Sequence, residues 1–266
     1  RRLIVRERRF PDGRRSDRAQ CMTARTEPAL SGTVPFLHSQ PRVWIFDMDD
    51  TLLASSAGIL DEVHVLMNDF LIRRMGFSRE KANFLREYYW RTYGSTFIGL
   101  WRCHGVDPRV FLPAVHDFDY APYLTGLKSM RAVLSKFPGR RVLMTNGPRN
   151  YADAILPAIG LKGFFDLEVT SSDMRLFGDW RPKPSVAMMK ALAARLGVKS
   201  RDAVLVDDSL LNLRAAKLAG MRTVWCIGMR RRHAGLRMPW NAPMAHPAID
   251  LVVCNVEELL RRIGRI

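Results

Sequence analysis

Apolar residues along this chain follow two different periods, and the change between them divides it. Val43-Trp44-Ile45-Phe46 is an unbroken apolar run of β-branched and aromatic residues, which predicts a strand buried on both faces. Over residues 55–122 the pattern is helical instead. Apolar positions recur at i, i+3, i+4 and i+7 across residues 61–72, and Gly76 breaks the repeat. Ser78-Arg79-Glu80-Lys81 then opens a second helix running to about Tyr93, and a third lies around residues 108–115. A crossover between parallel strands needs only one helix. Several helices after the first strand therefore predict an inserted helical cap domain over 55–122, with the core formed by 41–54 and 123–266.

From Arg140 onward strand and helix patterns alternate. Residues 141–144, 165–169, 203–206, 222–227 and 249–253 read as strands, and 150–159, 185–196, 210–219 and 256–263 as helices, the third stopped by Gly220. Residues 228–247 read as a loop rich in Arg, Pro and Gly. Such alternation predicts an α/β fold, a Rossmann-like three-layer α/β/α core around a parallel sheet, with ligands at the carboxyl ends of the strands. Residues 1–40 look disordered, being arginine-rich and then punctuated by Pro28, Ser31, Gly32 and Pro35. Met22 is the first methionine, and we read it as the true start, with 1–21 as an over-extended frame. An Arg-rich presequence is the competing reading, opposed by Glu7, Asp12 and Asp17.

Composition changes this picture little. No apolar run approaches the roughly 20 residues that cross a bilayer, so no membrane partner is expected. Cys21, Cys103, Cys226 and Cys254 are scattered without zinc-ligand spacing, as thiols of a reducing cytosol would be. The net charge of +16 is unusual, concentrated in residues 1–20 and in Met229-Arg230-Arg231-Arg232-His233. Such stretches can hold nucleic acid nonspecifically, or simply reflect the basic bias of a GC-rich genome. No zinc finger or RRM signature accompanies them, so no specific nucleic-acid partner is expected. Nothing in the sequence specifies an oligomeric state.

The ends of the apolar runs are where charge appears. The first strand runs straight into Asp47, Asp49 and Asp50. Two like charges about 4 Å apart repel by roughly 4 kcal/mol at an effective dielectric near 20, so Asp47 and Asp49 call for a compensating cation. An Asp-rich turn would explain Asp50 or Thr51 but not Asp47. The next strand ends in Thr145-Asn146-Gly147, which either caps the following helix or holds a phosphate oxygen. Lys183 lies between Pro182 and Pro184, an ordinary loop lysine by itself but with its backbone fixed by its neighbours. Asp207-Asp208-Ser209 closes another apolar strand, where Asp208 could also be a helix cap.

Asp47-Met48-Asp49-Asp50-Thr51 resembles the DxDxT signature of the haloacid dehalogenase-like hydrolases, and the four pieces follow in that family's order over residues 42–255. The resemblance implies Asp47 as nucleophile and Asp49 as general acid and base. It also implies Thr145, Asn146 and Lys183 on the phosphoryl oxygens. Mg²⁺ would be held by Asp47, the backbone carbonyl of Asp49, and Asp208, with Asp207 as a direct or outer partner. The second aspartate, Asp49, favours a phosphatase over a dehalogenase, since a departing halide needs no proton. Residues 88–100, with Tyr88, Tyr89, Tyr93 and Gly94, are similar to the YYxxYGxTxxGL stretch of the pyrimidine 5′-nucleotidase-like branch. That implies a small phosphorylated substrate, a nucleoside 5′-monophosphate with pyrimidine preferred, read by cap tyrosines. Another small phosphorylated metabolite, such as a sugar phosphate or phosphoglycolate, is the alternative. A basic nucleic-acid-binding protein on an inactive hydrolase core is the rival class, and it would require a missing catalytic residue.

Overall fold

The structure is a computed structural model in which residues 43–229 and 246–266 are described. The expectations for residues 1–40, the start at Met22 and nearly all of the 228–247 loop fall outside those residues.

The predicted first strand is β1 (Val43–Phe46), and its four side chains are fully buried. Alternation sends Trp44 and Phe46 to one face, where Phe137 meets both rings edge-on, and Val43 and Ile45 to the other, against Met144, Met189 and Leu205. Five more strands join it: β2 (Arg140–Met144), β3 (Leu167–Val169), β6 (Ala203–Asp207), β7 (Arg222–Cys226) and β8 (Leu251–Val253). All pairings are parallel, in the order β3-β2-β1-β6-β7-β8. The chain moves outward from β1 to β3, then returns to the other side of β1 as β6. That reversal opens a crevice at the carboxyl ends of β1 and β6, where open α/β sheets bind ligands. Helices α7 (Arg149–Ala158), α8 (Val186–Arg195), α9 (Leu210–Leu218) and a last one at Val256–Arg261 follow strands as predicted.

Between β1 and β2 lie α1 (Ile59–Met75), α2 (Arg79–Tyr93), α3 (Thr96–His104) and α4 (Pro108–Ala114), followed by the short helices α5 (Ala121–Leu124) and α6 (Arg131–Leu134). Ser78 caps α2 by accepting from the Lys81 amide, and Asp107 caps α4 ahead of Pro108. The four helices bury a cluster of their own around Leu71, Leu100 and Phe111. Helix α3 was not foreseen. Gly99 in its middle argues against a helix on propensity, but a Cβ there would lie 2.1 Å from Tyr89 Cγ. The glycine is what lets α2 and α3 pack ring against backbone. A second unforeseen element is a hairpin, β4 (Arg175–Leu176) and β5 (Asp179–Trp180), turning through Phe177 and Gly178 at positive φ. It carries Trp180 into the insert's cluster, edge-on to Phe97.

Candidate active site

Asp47 follows β1 but stays hydrogen-bonded in the sheet, its N–H donating to the Val206 carbonyl at 2.9 Å. Asp47 is buried, and its carboxylate meets the Lys183 ammonium at 2.6 Å, while the same ammonium lies 2.8 Å from Asp207. A buried ion pair persists only when the remaining lone pairs are satisfied. Asp207 meets that condition, accepting from the Ser209 amide at 2.8 Å and from the Asn212 side chain at 2.9 and 3.1 Å. Burial acts to lower the pKa of Lys183, but Asp207 and Asp47 outweigh it and hold the amine above its ordinary range. Burial raises the Asp47 carboxyl well above its usual value; Lys183 opposes this, and Asp207, Asp208 and Asp49 add to it.

One lysine leaves this corner negative. Ligand oxygens of Asp47, Asp207 and Asp208 lie within 4.8 Å of one another. Hard oxygen donors with surplus negative charge suit a small divalent cation such as Mg²⁺, which prefers oxygen ligation with few carboxylates. The donor set therefore fits the metal that the sequence led us to expect. Asp208 lines the open cavity, with its carbonyl held by the Trp225 indole at 2.8 Å, while the oxygens of Asp207 are spoken for by its donors. Asp207 thus partners Lys183, and Asp208 is the acid of this pair that lines the cavity.

Asp49 has a different environment. Its Oδ1 accepts from Ser55 at 2.5 Å and from Tyr151 at 2.6 Å. Burial raises its carboxyl pKa, with those two hydrogen bonds opposing. The Tyr151 phenol is itself pushed well above its usual value by burial and by Asp49, and so remains a donor. With two donors on Oδ1, Oδ2 is the oxygen left to carry a proton. Asp50 turns elsewhere, at positive φ, and accepts from the Ser56 amide at 2.9 Å and from the Ser56 hydroxyl.

At the end of β2 the expected phosphate holders have partners of their own. Thr145 Oγ1, fully buried, accepts from the Gly147 amide at 3.0 Å, and Thr145 is not among the residues lining the cavity. Its hydroxyl hydrogen is not committed by that bond. Asn146 does line it, and clamps the Lys183 backbone, donating to its carbonyl and accepting from its N–H, both at 2.9 Å.

Asp47, Asp49, Asn146, Lys183 and Asp208 share a cavity of about 600 Å³ roofed by α1 and α2, which contribute His64, Arg86 and Trp90. Of the four cap residues expected to contact substrate, only Gly94 lines it; Tyr88, Tyr89 and Tyr93 do not. Helical phase explains the correction. Residues 86, 87, 90 and 94 follow one face of α2, whereas Ala82, Leu85 and Tyr89 follow another, against α3. Tyr89 is buried with its hydroxyl 2.7 Å from His104 Nε2, Tyr93 lies against Cys103, and Tyr88 is exposed and stacked on Phe84. Gly94 ends α2 at positive φ, where a Cβ would come within 2.3 Å of Pro184 Cδ. Sequence reasoning missed Ser55, Tyr151, Trp225 and His116, none of which sits in a local pattern that announces its partner.

The profile described as "Hydrolase: haloacid dehalogenase-like hydrolase" matches residues 41–220. The chain belongs to the haloacid dehalogenase-like hydrolases. Among curated members of this family it is 29% identical over 123 residues to validoxylamine A 7′-phosphate phosphatase of Streptomyces hygroscopicus subsp. limoneus, covering 46% of this chain and 51% of that one. It is 24% identical over 192 residues to phosphate metabolism protein 8 of Saccharomyces cerevisiae, covering 68% and 60%. With phosphoglycolate phosphatase of Rhodospirillum rubrum it shares 28% over 201 residues, covering 69% and 78%. The chain thus spans 51% and 60% of the first two of these relatives. In fold it is similar to a HAD phosphatase from Thermococcus onnurineus, with TM-score 0.51 and 22% identity over 85% of this chain and all (100%) of that one. CbbY from Rhodobacter sphaeroides in complex with phosphate gives TM-score 0.52 and 19% identity, over 82% and 96%.

Proposed function

We propose that this hydrolase is a magnesium-dependent phosphomonoesterase that works through an aspartyl-phosphate on Asp47 and acts on a small phosphorylated metabolite. The observation that carries the reading is the pairing of two unlike aspartates. The Asp47 carboxylate meets the Lys183 ammonium, and Asp49 is turned by two hydroxyls so that one oxygen stays open. Curated relatives named as phosphatases support it.

In this reading Asp47 attacks phosphorus, and the ester oxygen leaves with the proton from Asp49. Asp49 then takes a proton from water, which attacks the aspartyl-phosphate and frees Asp47 and inorganic phosphate. Lys183, with Thr145 and Asn146 behind it, stabilises the phosphoryl oxygens. Bound Mg²⁺, on Asp47, Asp208 and the Asp49 carbonyl, would neutralise charge on the transferring group. The helical insert acts as the cap that excludes water. A preference for nucleotides rested on Tyr88, Tyr89 and Tyr93, and their hydroxyls and rings face away from the cavity. We therefore place sugar and acid phosphates ahead of nucleoside monophosphates. A cytosolic location belongs to the same proposal; among the described residues no helix is long and apolar enough to cross a membrane.

The test is phosphate release, with Mg²⁺ or with EDTA, across phosphoglycolate, sugar phosphates, UMP and AMP. The expected outcome is magnesium-dependent turnover that Asp47→Asn abolishes while the folded spectrum is kept. Turnover surviving in Asp47→Asn would refute the nucleophile.

A further inference from the structure

Arg86 is the cation in the cavity that the chemistry above does not use. Among the described residues lining that cavity, Asp47, Asp49, Asp50, Glu87 and Asp208 are acids, and the cations are Lys183 and Arg86. Lys183 is engaged by Asp47 and Asp207. Glu87, beside Arg86 in sequence, is taken by Arg91 at 2.5 Å. Among the described residues no carboxylate pairs with the Arg86 guanidinium, and its Nε is shielded from solvent with no acceptor. A shielded donor without a partner is uncommon in folded proteins and points to a group that is absent. His64, in the same cavity, has its pKa lowered first by burial and then by the charge of Arg86, with Asp61 opposing. The roof of the cavity is therefore locally positive above an acidic floor.

We propose that Arg86 binds a second anionic group on the substrate, a carboxylate or a second phosphoryl group at the far end of a short carbon chain. The assignment rests on the phosphatase reading for the other end of the molecule, which Asp47 and Lys183 engage. A planar guanidinium matches either oxyanion with two parallel hydrogen bonds. Among the described residues lining the cavity, no other cation is uncommitted. A neutral polyol phosphate, or a nucleoside monophosphate with its single phosphate, brings no second negative charge to Arg86.

The experiment compares kcat/KM for phosphoglycolate, propane-1,3-diol bisphosphate and ethyl phosphate in the wild type, Arg86→Gln and Arg86→Lys. Loss of one charge-assisted contact should lower the ratio of a two-anion substrate to ethyl phosphate by about ten- to a hundred-fold in Arg86→Gln. Arg86→Lys should recover part of it. The two-anion substrate whose ratio moves identifies the second group. Ratios unmoved for both would overturn the proposal and leave Arg86 as a counter-charge to the acidic floor. Titration calorimetry with Mg²⁺ gives a readout that needs no turnover. Wild type should bind phosphonoacetate more tightly than methylphosphonate, and Arg86→Gln should erase the difference. If no phosphomonoester is hydrolysed at all, the phosphatase reading fails while this binding difference still decides the role of Arg86.

Discussion

Asp47 and Asp49 are two residues apart and chemically unlike, because their neighbours differ. An ammonium sits against one, and two hydroxyls aim the other. Removing the phenol from Tyr151 should therefore hurt proton delivery and leave nucleophilic attack alone. In Tyr151→Phe we expect kcat on ethyl phosphate to fall about tenfold, the value of one lost hydrogen bond to a charged group. Turnover of p-nitrophenyl phosphate, whose leaving group needs no proton, should fall much less. Equal losses on the two esters would assign Tyr151 to packing. His116 offers a second test. It is buried against the Tyr151 ring, with Nδ1 2.8 Å from the Leu112 carbonyl. Burial, opposed by that carbonyl, depresses its pKa from 6.5 to about 4. Between those values the unfolded chain takes up a proton that the folded chain refuses, so stability declines as pH falls through the window, by up to about 3 kcal/mol. Urea unfolding across pH 7.5 to 4 should show that slope reduced in His116→Asn. Asp47, Asp49, Lys183 and Asp208 were visible in sequence because charge at the end of an apolar run, or a lysine pinned by prolines, has no packing explanation. Tyr151 becomes the partner of Asp49, 102 residues away, only once α7 docks, and nothing local to it records that.

Among the elements, the strands and the helices that follow them appear within a few residues of their predicted bounds, since period and apolar runs report burial directly. What escaped was set by contact. Helix α3 tolerates a central glycine for the sake of Tyr89, and the Arg175–Trp180 hairpin is two residues to a strand, too short for a period to show. In the aromatic stretch near residue 90, helical phase turns Tyr89 onto α3 and leaves Gly94 at the cavity. Gly94 and Gly99 separate packing from function in that stretch. An alanine at either position meets atoms closer than any real Cβ contact, and each should cost about 1–3 kcal/mol of stability. Gly99→Ala presses on Tyr89 inside the insert and should lower Tm with kcat little changed. Gly94→Ala presses on Pro184, next to Lys183, and should lower Tm and kcat together. Thermal melts beside steady-state assays distinguish them.

At the scale of the molecule, a protein of net charge +16 concentrates carboxylates at one sheet edge. Asp47, Asp207 and Asp208 repel one another, with Lys183 paired to the first two, so a divalent ion that binds there stabilises the folded state by mass action. Mg²⁺ should raise Tm, EDTA should reverse it, and Asp208→Asn should reduce the shift; a Tm indifferent to Mg²⁺ would count against the site.

Trp180 lends this arrangement a mechanical side. It lies three residues before Lys183, yet its ring is packed among the helices of the insert, against Phe97. Any displacement of the helical insert must therefore either let go of Trp180 or pull the lysine's own loop after it. The anchor of the roof is tied to the charge that arms the site.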